Sequence, residues 1–391
     1  MSLLRLFVFL SVVTTVSLAV HRYFWVRLVR DVTPSRRLRR TGAVLCLTLA
    51  LSVPLGLTLW RFVGADTARA VSFVGATWAG VLFLLLVCLL GADLLRGAVR
   101  LTRRKARPPA LPVDLGRRRF LARSVAGVAG AGAAGLSTAA LVEGARPPEV
   151  VEVTVPVRRL PAAFDGFRIA QLSDVHVGPL LRRPFLEDLV RRTNALAPDL
   201  VALTGDLVDG SVDDLRDVVA VLADLRAPHG VWLTTGNHEY YMGADPWIAH
   251  LATLGVRTLR NERVALTRGD ASIDLAGIDD PTGAGFPGHG PDLARALAGR
   301  DPARPVVLLA HQPKQVFDAE RLGVDVQLSG HTHGGQIAPF GALVRFVQPA
   351  VAGLHRFGPT WLYVSRGAGS WGPPMRLGNP AELTLVTLRP A

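Results

Sequence analysis

The chain has 391 residues, 49% of them hydrophobic, and a net charge of +13. That length leaves room for more than one domain. Residues 147–391 contain no cysteine, which excludes a disulfide framework there, and Cys46 and Cys88 both fall inside apolar runs. Residues 1–146 carry +16 and residues 147–391 carry −3, so the basic excess accompanies the apolar end and points to membrane topology rather than to a nucleic-acid groove.

Residues 41–60 are free of charge for 20 positions and residues 70–92 for 23. Each matches the roughly 20 residues that cross about 30 Å of hydrocarbon, and neither shows a polar face. The first segment, Leu6–Val20, is shorter. Ser17-Leu18-Ala19 offers a signal-cleavage pattern, but cleavage would leave the Arg-rich stretch from Arg22 to Arg40 outside, against the positive-inside bias. A span extended by Arg5 and by Tyr23, Phe24 and Trp25 is the expectation. Residues 1–95 are therefore read as three transmembrane helices with a basic cytoplasmic loop. Residues 96–123 are read as a second basic cytoplasmic loop.

That second loop ends in Arg117-Arg118-Arg119-Phe120-Leu121, followed by the uncharged Ser124–Val142. The arrangement resembles a twin-arginine export signal and equally fits the basic flank of a fourth span. Residues 124–146 are thus either a fourth transmembrane segment or an export-signal-like segment, with a linker. Both readings place residues 147–391 on the extracytoplasmic side of a multi-pass protein of the cell membrane.

Beyond the linker, short apolar runs predict strands over Val150–Val155, Phe167–Leu172, Leu200–Thr204, Val231–Thr235, Ser272–Gly277, Val306–Ala310, Val326–Ser329, Trp361–Ser365 and Leu383–Leu388. Amphipathic periodicity predicts helices over Pro184–Leu196, Val212–Leu225, Pro246–Leu254, Pro291–Leu297 and Lys314–Arg321. In three of these a proline stands at the expected start, the position it prefers. Strands alternate with helices early and dominate later, which predicts an α/β sandwich of two sheets with helices outside.

Five polar clusters sit beside these strands: Asp174-Val175-His176, Gly205-Asp206, Gly236-Asn237-His238-Glu239, His311, and Gly330-His331-Thr332-His333. Each alone reads as structure, as a turn, a helix cap or a satisfied histidine. Together they offer two aspartates, an amide and five imidazoles beside Glu239 at the ends of strands, where α/β folds place their chemistry. Burying such a set is costly unless it holds cations, and its composition is that of a two-metal hydrolytic site.

The series resembles the calcineurin-like metallophosphoesterase superfamily, whose pattern is Asp-x-His, Gly-Asp-x-x-Asp, Gly-Asn-His-Asp/Glu, His and Gly-His-x-His. Here it stands as Asp174-x-His176, Gly205-Asp206-x-x-Asp209, Gly236-Asn237-His238-Glu239, His311 and Gly330-His331-x-His333. The resemblance covers about residues 150–391. Gly334-Gly335-Gln336, Ser365-Arg366-Gly367 and Asn379-Pro380-Ala381-Glu382 are similar to its bacterial membrane-associated branch. It implies an α/β metallophosphatase sandwich preceded by an all-α membrane-spanning region. It also implies Asp174, His176 and His333 on one metal ion, Asn237, His311 and His331 on a second, and Asp206 bridging them. Mixed nitrogen and oxygen donors suit Mn, Fe or Zn. Asp209 would orient a ligand histidine, or be a turn acid. His238 would contact the phosphate or protonate the leaving oxygen. A metal-activated hydroxide would attack phosphorus without a covalent phospho-enzyme.

The implied activity is hydrolysis of a phosphodiester, pyrophosphate or phosphomonoester. Apolar residues from Ile337 to Phe357, then Trp371, Pro373, Pro374 and Met375, follow the last cluster. They either pack on the core or grip a lipid, which makes a lipid-linked or cell-envelope phosphoester the substrate expected. Arg366 and Arg376 offer phosphate contacts, or ion pairs. Two other readings are a non-catalytic membrane protein that binds metal or a partner, and a nuclease of the same superfamily. The −3 charge of residues 147–391 disfavours nucleic acid.

Overall fold

The computed structural model describes residues 3–63, 65–103 and 114–391. They form two compact units, one of Glu143–Trp371 with Arg376–Ala391, the other running up to Val142 and taking in Gly372–Met375.

The second of these is helical. Its elements are α1 (Leu3–Phe24), continued by a π-helical turn Trp25–Arg30, α2 (Arg36–Thr58), α3 (Trp60–Val63), α4 (Ala65–Arg103) and α5 (Leu115–Gly144). Among the described residues, four stretches are long and apolar enough to cross a membrane: Phe7–Arg30, Arg36–Thr58, Thr67–Thr102 and Leu115–Gly144. The basic residues expected in a loop at 96–123 are helical on both flanks, because a span's helix continues through its charged ends where water can satisfy them. The middle of that expected loop, 104–113, lies outside the described residues. Among the helices, α2 and α4 approach through glycine: a Cβ on Gly75 would stand 2.7 Å from the Gly56 Cα. The Asp93 carboxylate accepts hydrogen bonds from Tyr23 and Arg27.

The other unit opens with β1 (Glu149–Val157), β2 (Arg168–Leu172), α6 (Arg183–Ala195), β3 (Leu200–Leu203), α7 (Val212–Val219), β4 (Val231–Leu233), α8 (Asn237–Met242) and α9 (Ala244–Thr253). There follow β5 (Val256–Thr258), β6 (Glu262–Arg268), β7 (Ala271–Gly277), α10 (Leu293–Ala296), β8 (Val306–Leu309), α11 (Val316–Arg321) and β9 (Val326–Ser329). Last come α12 (Gly341–Val344), β10 (Gly353–Phe357), β11 (Thr360–Val364) and β12 (Glu382–Pro390).

The strands make two sheets of six, in the orders β1-β12-β2-β3-β4-β5 and β10-β11-β9-β8-β7-β6. The first is parallel except where β12 meets β2, and the second is antiparallel only at its two outer pairs. Side-chain alternation decides which residue goes where. Ile169, Leu200, Ala202, Val307 and Leu309 point between the sheets, and their neighbours Ala170, Val201, Leu203, Val306 and Leu308 point out under the helices. The expected two-sheet α/β sandwich is what forms.

Helix ends depart from expectation in detail. Pro184 occupies the first turn of α6, but Pro291 precedes α10, where Asp292 caps the Arg295 amide instead. The predicted Val212–Leu225 helix tightens to a 3-10 turn after Val219. Phe167, placed in a strand by sequence, lies just before β2.

Candidate metal centre

Every one of the seven expected ligand residues lies just past the C-terminal end of a strand. Asp174 and His176 follow β2, Asp206 follows β3, Asn237 opens α8 after β4, His311 follows β8, and His331 and His333 follow β9. Asp174, His176, Asp206, His331 and His333 have positive φ between 51° and 70°, a conformation side chains resist and which gathers at functional sites. Two glycines make the crowding possible. A Cβ on Gly330 would lie 2.1 Å from Asp174 Oδ2, and one on Gly236 would lie 2.2 Å from Asp206 Oδ1.

The donor atoms converge into three overlapping sets, Asp174/His176/His333, His176/Asp206/His238 and Asp206/His311/His331, with all ligand atoms of each set within 4.8 Å of one another. His333 Nε2 is 3.4 Å from Asp174 Oδ1 and 3.1 Å from His176 Nε2. Asp206 Oδ2 is 3.2 Å from His311 Nε2 and 4.0 Å from His176 Nε2, so its carboxylate reaches toward both sets. Asn237 Oδ1 stands 3.2 Å from His311 Nε2.

These residues fit cations. His176 turns Nδ1 to Asp209, 3.2 Å away, and His311 donates from Nδ1 to the Thr204 carbonyl at 2.8 Å. Both turn Nε2 inward, the orientation a second partner imposes on a ligand histidine. Burial alone would lower the His311 pKa, but the carboxylates of Asp206, Asp174 and Asp280 outweigh it and raise it well above the usual histidine range. His333 Nδ1 is buried without a hydrogen-bond partner. Burial and the neighbouring His176 and Arg376 hold the His333 ring well below the usual histidine range. Burial and His311 bring His331 down to about 3. Neutral imidazoles facing buried carboxylates form a ready set of metal ligands.

His238 shares a donor set with His176 and Asp206. Its Nε2 lies 3.9 Å from Asp206 Oδ2, and its Nδ1 donates to Asp209 Oδ1. Burial alone would lower its pKa, but the carboxylates of Asp206 and Asp209 outweigh that and raise it to about 9. Asp209 is neither a turn acid nor exposed. It accepts from both His176 and His238, which hold it well below the usual carboxylate range despite its burial.

Sequence reading quoted Glu239 within its cluster without a role. Its carboxylate accepts from the amides of Asp206 and Gly236 at Oε2, at 2.9 and 2.7 Å, and from Leu207 at Oε1, at 2.8 Å. It thereby ties the loop after β3 to the start of α8. A Glu three residues past Gly236 is the spacing of a capping residue, and that was the available signal. Arg366 and Arg376 do not face the donor cluster. Arg366 pairs with Glu382 and Glu149. Arg376 is fully buried and donates to the carbonyls of Gly369, Asn379, Arg366 and Gly367.

A two-sheet sandwich with clustered histidine and aspartate ligands at its strand ends is the build of a metallophosphatase. The profile of the family described as calcineurin-like phosphoesterase matches residues 167–335. A bovine protein named transmembrane protein with metallophosphoesterase domain is 42% identical over 269 residues, 66% of this chain and 60% of its own length. A metallophosphoesterase of Aquifex aeolicus is 34% identical over 244 residues, 61% of this chain and 91% of that protein. The Bacillus subtilis metallophosphoesterase YkuE is 33% identical over 249 residues, 62% and 85% respectively. The chain thus spans about 60% of the length of the vertebrate relatives it matches. It belongs to the calcineurin-like phosphoesterase family, a class of metal-dependent phosphoester hydrolases.

Proposed function

We propose that this protein is a membrane-anchored, two-metal phosphoesterase acting on a phosphodiester, pyrophosphate or phosphomonoester of a lipid or cell-envelope molecule. The observation that carries it is the chain of overlapping donor sets joined through His176 and Asp206, with His238 Nε2 3.9 Å from Asp206 Oδ2. Asp174, His176 and His333 would hold one ion, Asn237, His311 and His331 the other, with Asp206 shared. Bound divalent ions of the Mn, Fe or Zn kind supply an activated water and neutralise phosphoryl charge.

The chain's own residues do the rest. Asp209 holds His238 with Nε2 toward the reacting group. His238 then donates a proton to the departing oxygen. Glu239 keeps the Asp206 and Asn237 loops in register. Leu343, Phe346 and Val347, at 56%, 85% and 72% exposure, lie on the segment that begins at α12, which packs on the His333–Gly335 turn. With no acidic residue between Asp325 and Glu382, this surface favours an amphiphile with an anionic head. The Arg-rich segments at 22–40 and 96–123 favour an extracytoplasmic catalytic domain.

The test uses the full chain in detergent, with metal analysis and assays on a chromogenic phosphodiester and phosphomonoester after loading with Mn, Zn or Fe. About two ions per chain and metal-dependent turnover are expected, both lost in Asp206→Asn. An active, fully metallated Asp206→Asn would refute the shared ligand, and a wild type that binds no metal would leave the non-catalytic reading in its place.

A further inference from the structure

Two aromatic rings flank His238 at right angles or nearly so. The Tyr241 ring lies 5.4 Å from the imidazole at 61°, and the Trp371 ring lies 6.5 Å away at 85°. His238 is 9% exposed, yet Tyr241 is 36% and Trp371 52% exposed. Large rings left open to solvent beside a buried proton donor forgo the burial that normally secures them. They are nevertheless held firmly. Tyr241 stands on α8, one turn past Asn237.

Trp371 is held by Gln336. The Trp371 amide donates to Gln336 Oε1 at 3.0 Å, and Gln336 Nε2 donates back to the Trp371 carbonyl at 3.1 Å. The Gln336 carbonyl also accepts from the Leu377 amide at 2.9 Å. Gln336 itself has φ 48° and ψ −59°, and the Ile337 amide closes a three-residue turn on the Gly335 carbonyl at 2.5 Å. That hand of turn is rare and strained, and such strain persists where surrounding structure enforces it, often in ligand clamps. Gln336 stands three residues after His333, so the strained turn joins the donor cluster to the loop that presents Trp371.

We infer that Tyr241 and Trp371 form a binding subsite for the leaving group, that the group is an apolar alcohol, and that Gln336 is the residue positioning Trp371. The inference rests on the phosphoesterase reading above. If His238 contacts the departing oxygen, the carbons attached to that oxygen lie close to the two rings that meet its imidazole. Two exposed rings offer an apolar body a surface, and the segment around Trp371 carries no carboxylate.

Binding rather than turnover tests this. Affinities of benzylphosphonate and methylphosphonate are measured by calorimetry on the full chain in nanodiscs, loaded with Mn. The benzyl compound places a ring where an apolar alcohol would sit, and the methyl compound retains only the phosphoryl head. Wild type should favour benzylphosphonate by about tenfold, the worth of one good aromatic contact. That ratio should collapse toward one in Trp371→Ala and fall in Gln336→Ala, while Trp371→Phe retains most of it. Should the alanine variant at 371 not fold, Trp371→Leu takes its place. A wild-type ratio near one, or an unchanged ratio in Trp371→Ala, overturns the subsite and leaves the phosphoesterase reading intact. Failure of the metal-loaded wild type to bind either compound overturns that reading and the subsite with it.

Discussion

Replacing Glu239 by Gln is the sharpest perturbation available, because it changes one atom in a fully buried group that accepts three backbone hydrogen bonds. An amide has one acceptor oxygen. Its best placement keeps that oxygen at the Oε2 position, retaining the bonds from Asp206 and Gly236, and turns the NH2 group onto the Leu207 amide. One charge-assisted bond is then lost and a buried donor faces another donor, together about 2–5 kcal/mol. Removing a buried charge offsets part of this, since burial and Asp206 push the Glu239 carboxyl up, so a net of about 3 kcal/mol is expected. For a unit of this size that corresponds to a fall in Tm of about 10 °C. Calorimetric unfolding of the full chain measures it, and metal analysis alongside should show weakened retention of the ion on the Asn237 side. A variant melting within about 2 °C of wild type with its full metal content would refute the idea that this carboxylate sets the two loops.

Other outcomes follow from the same geometry. His238→Ala should lower turnover by about a hundredfold or more with metal content near wild type, and loss of both ions in that variant would show His238 to be a ligand. Arg376→Met should orphan the carbonyls of Gly367, Gly369 and Asn379 and cost about 3–5 kcal/mol; unchanged resistance to proteolysis would contradict it. Gly330→Ala should displace Ser173 and Asp174, which a Cβ would meet at 2.0 and 2.1 Å, and deplete metal on the His333 side. Normal metal content there would mean the loop yields more easily than its packing implies.

What sequence made visible were the parts with local signatures. All nine strands placed from apolar runs exist to within a residue or two at their ends, since a buried strand must be apolar wherever it lies. The strands that went unread are marginal ones. In β6 the sequence ERVALTR buries only Leu266, β10 is an edge strand carrying His355 and Arg356, and β5 is three residues long. Sheet edges tolerate charge, so their alternation fades. Helix α8 hid because its first residues belong to the donor cluster and read as a turn. Each expected donor residue stands in a short motif of its own. The supports could not, because the Gln336 turn and its grip on Trp371 join residues far apart in the chain, and the buried Arg376 looks in one dimension like any surface arginine.

The place of β12 carries a consequence for timing. It is made after every other strand of the two sheets, yet it lies inside the first sheet, and β1 touches that sheet only through it. Until residues 382–390 have been synthesised, β1 has no neighbour and β2 is an open edge, with the apolar face between the sheets partly uncovered. A nascent domain that spends its whole synthesis in that condition depends on chaperones or rapid final closure, and mutations that weaken β12 should reveal themselves first as poor yield, before any loss of activity per folded molecule.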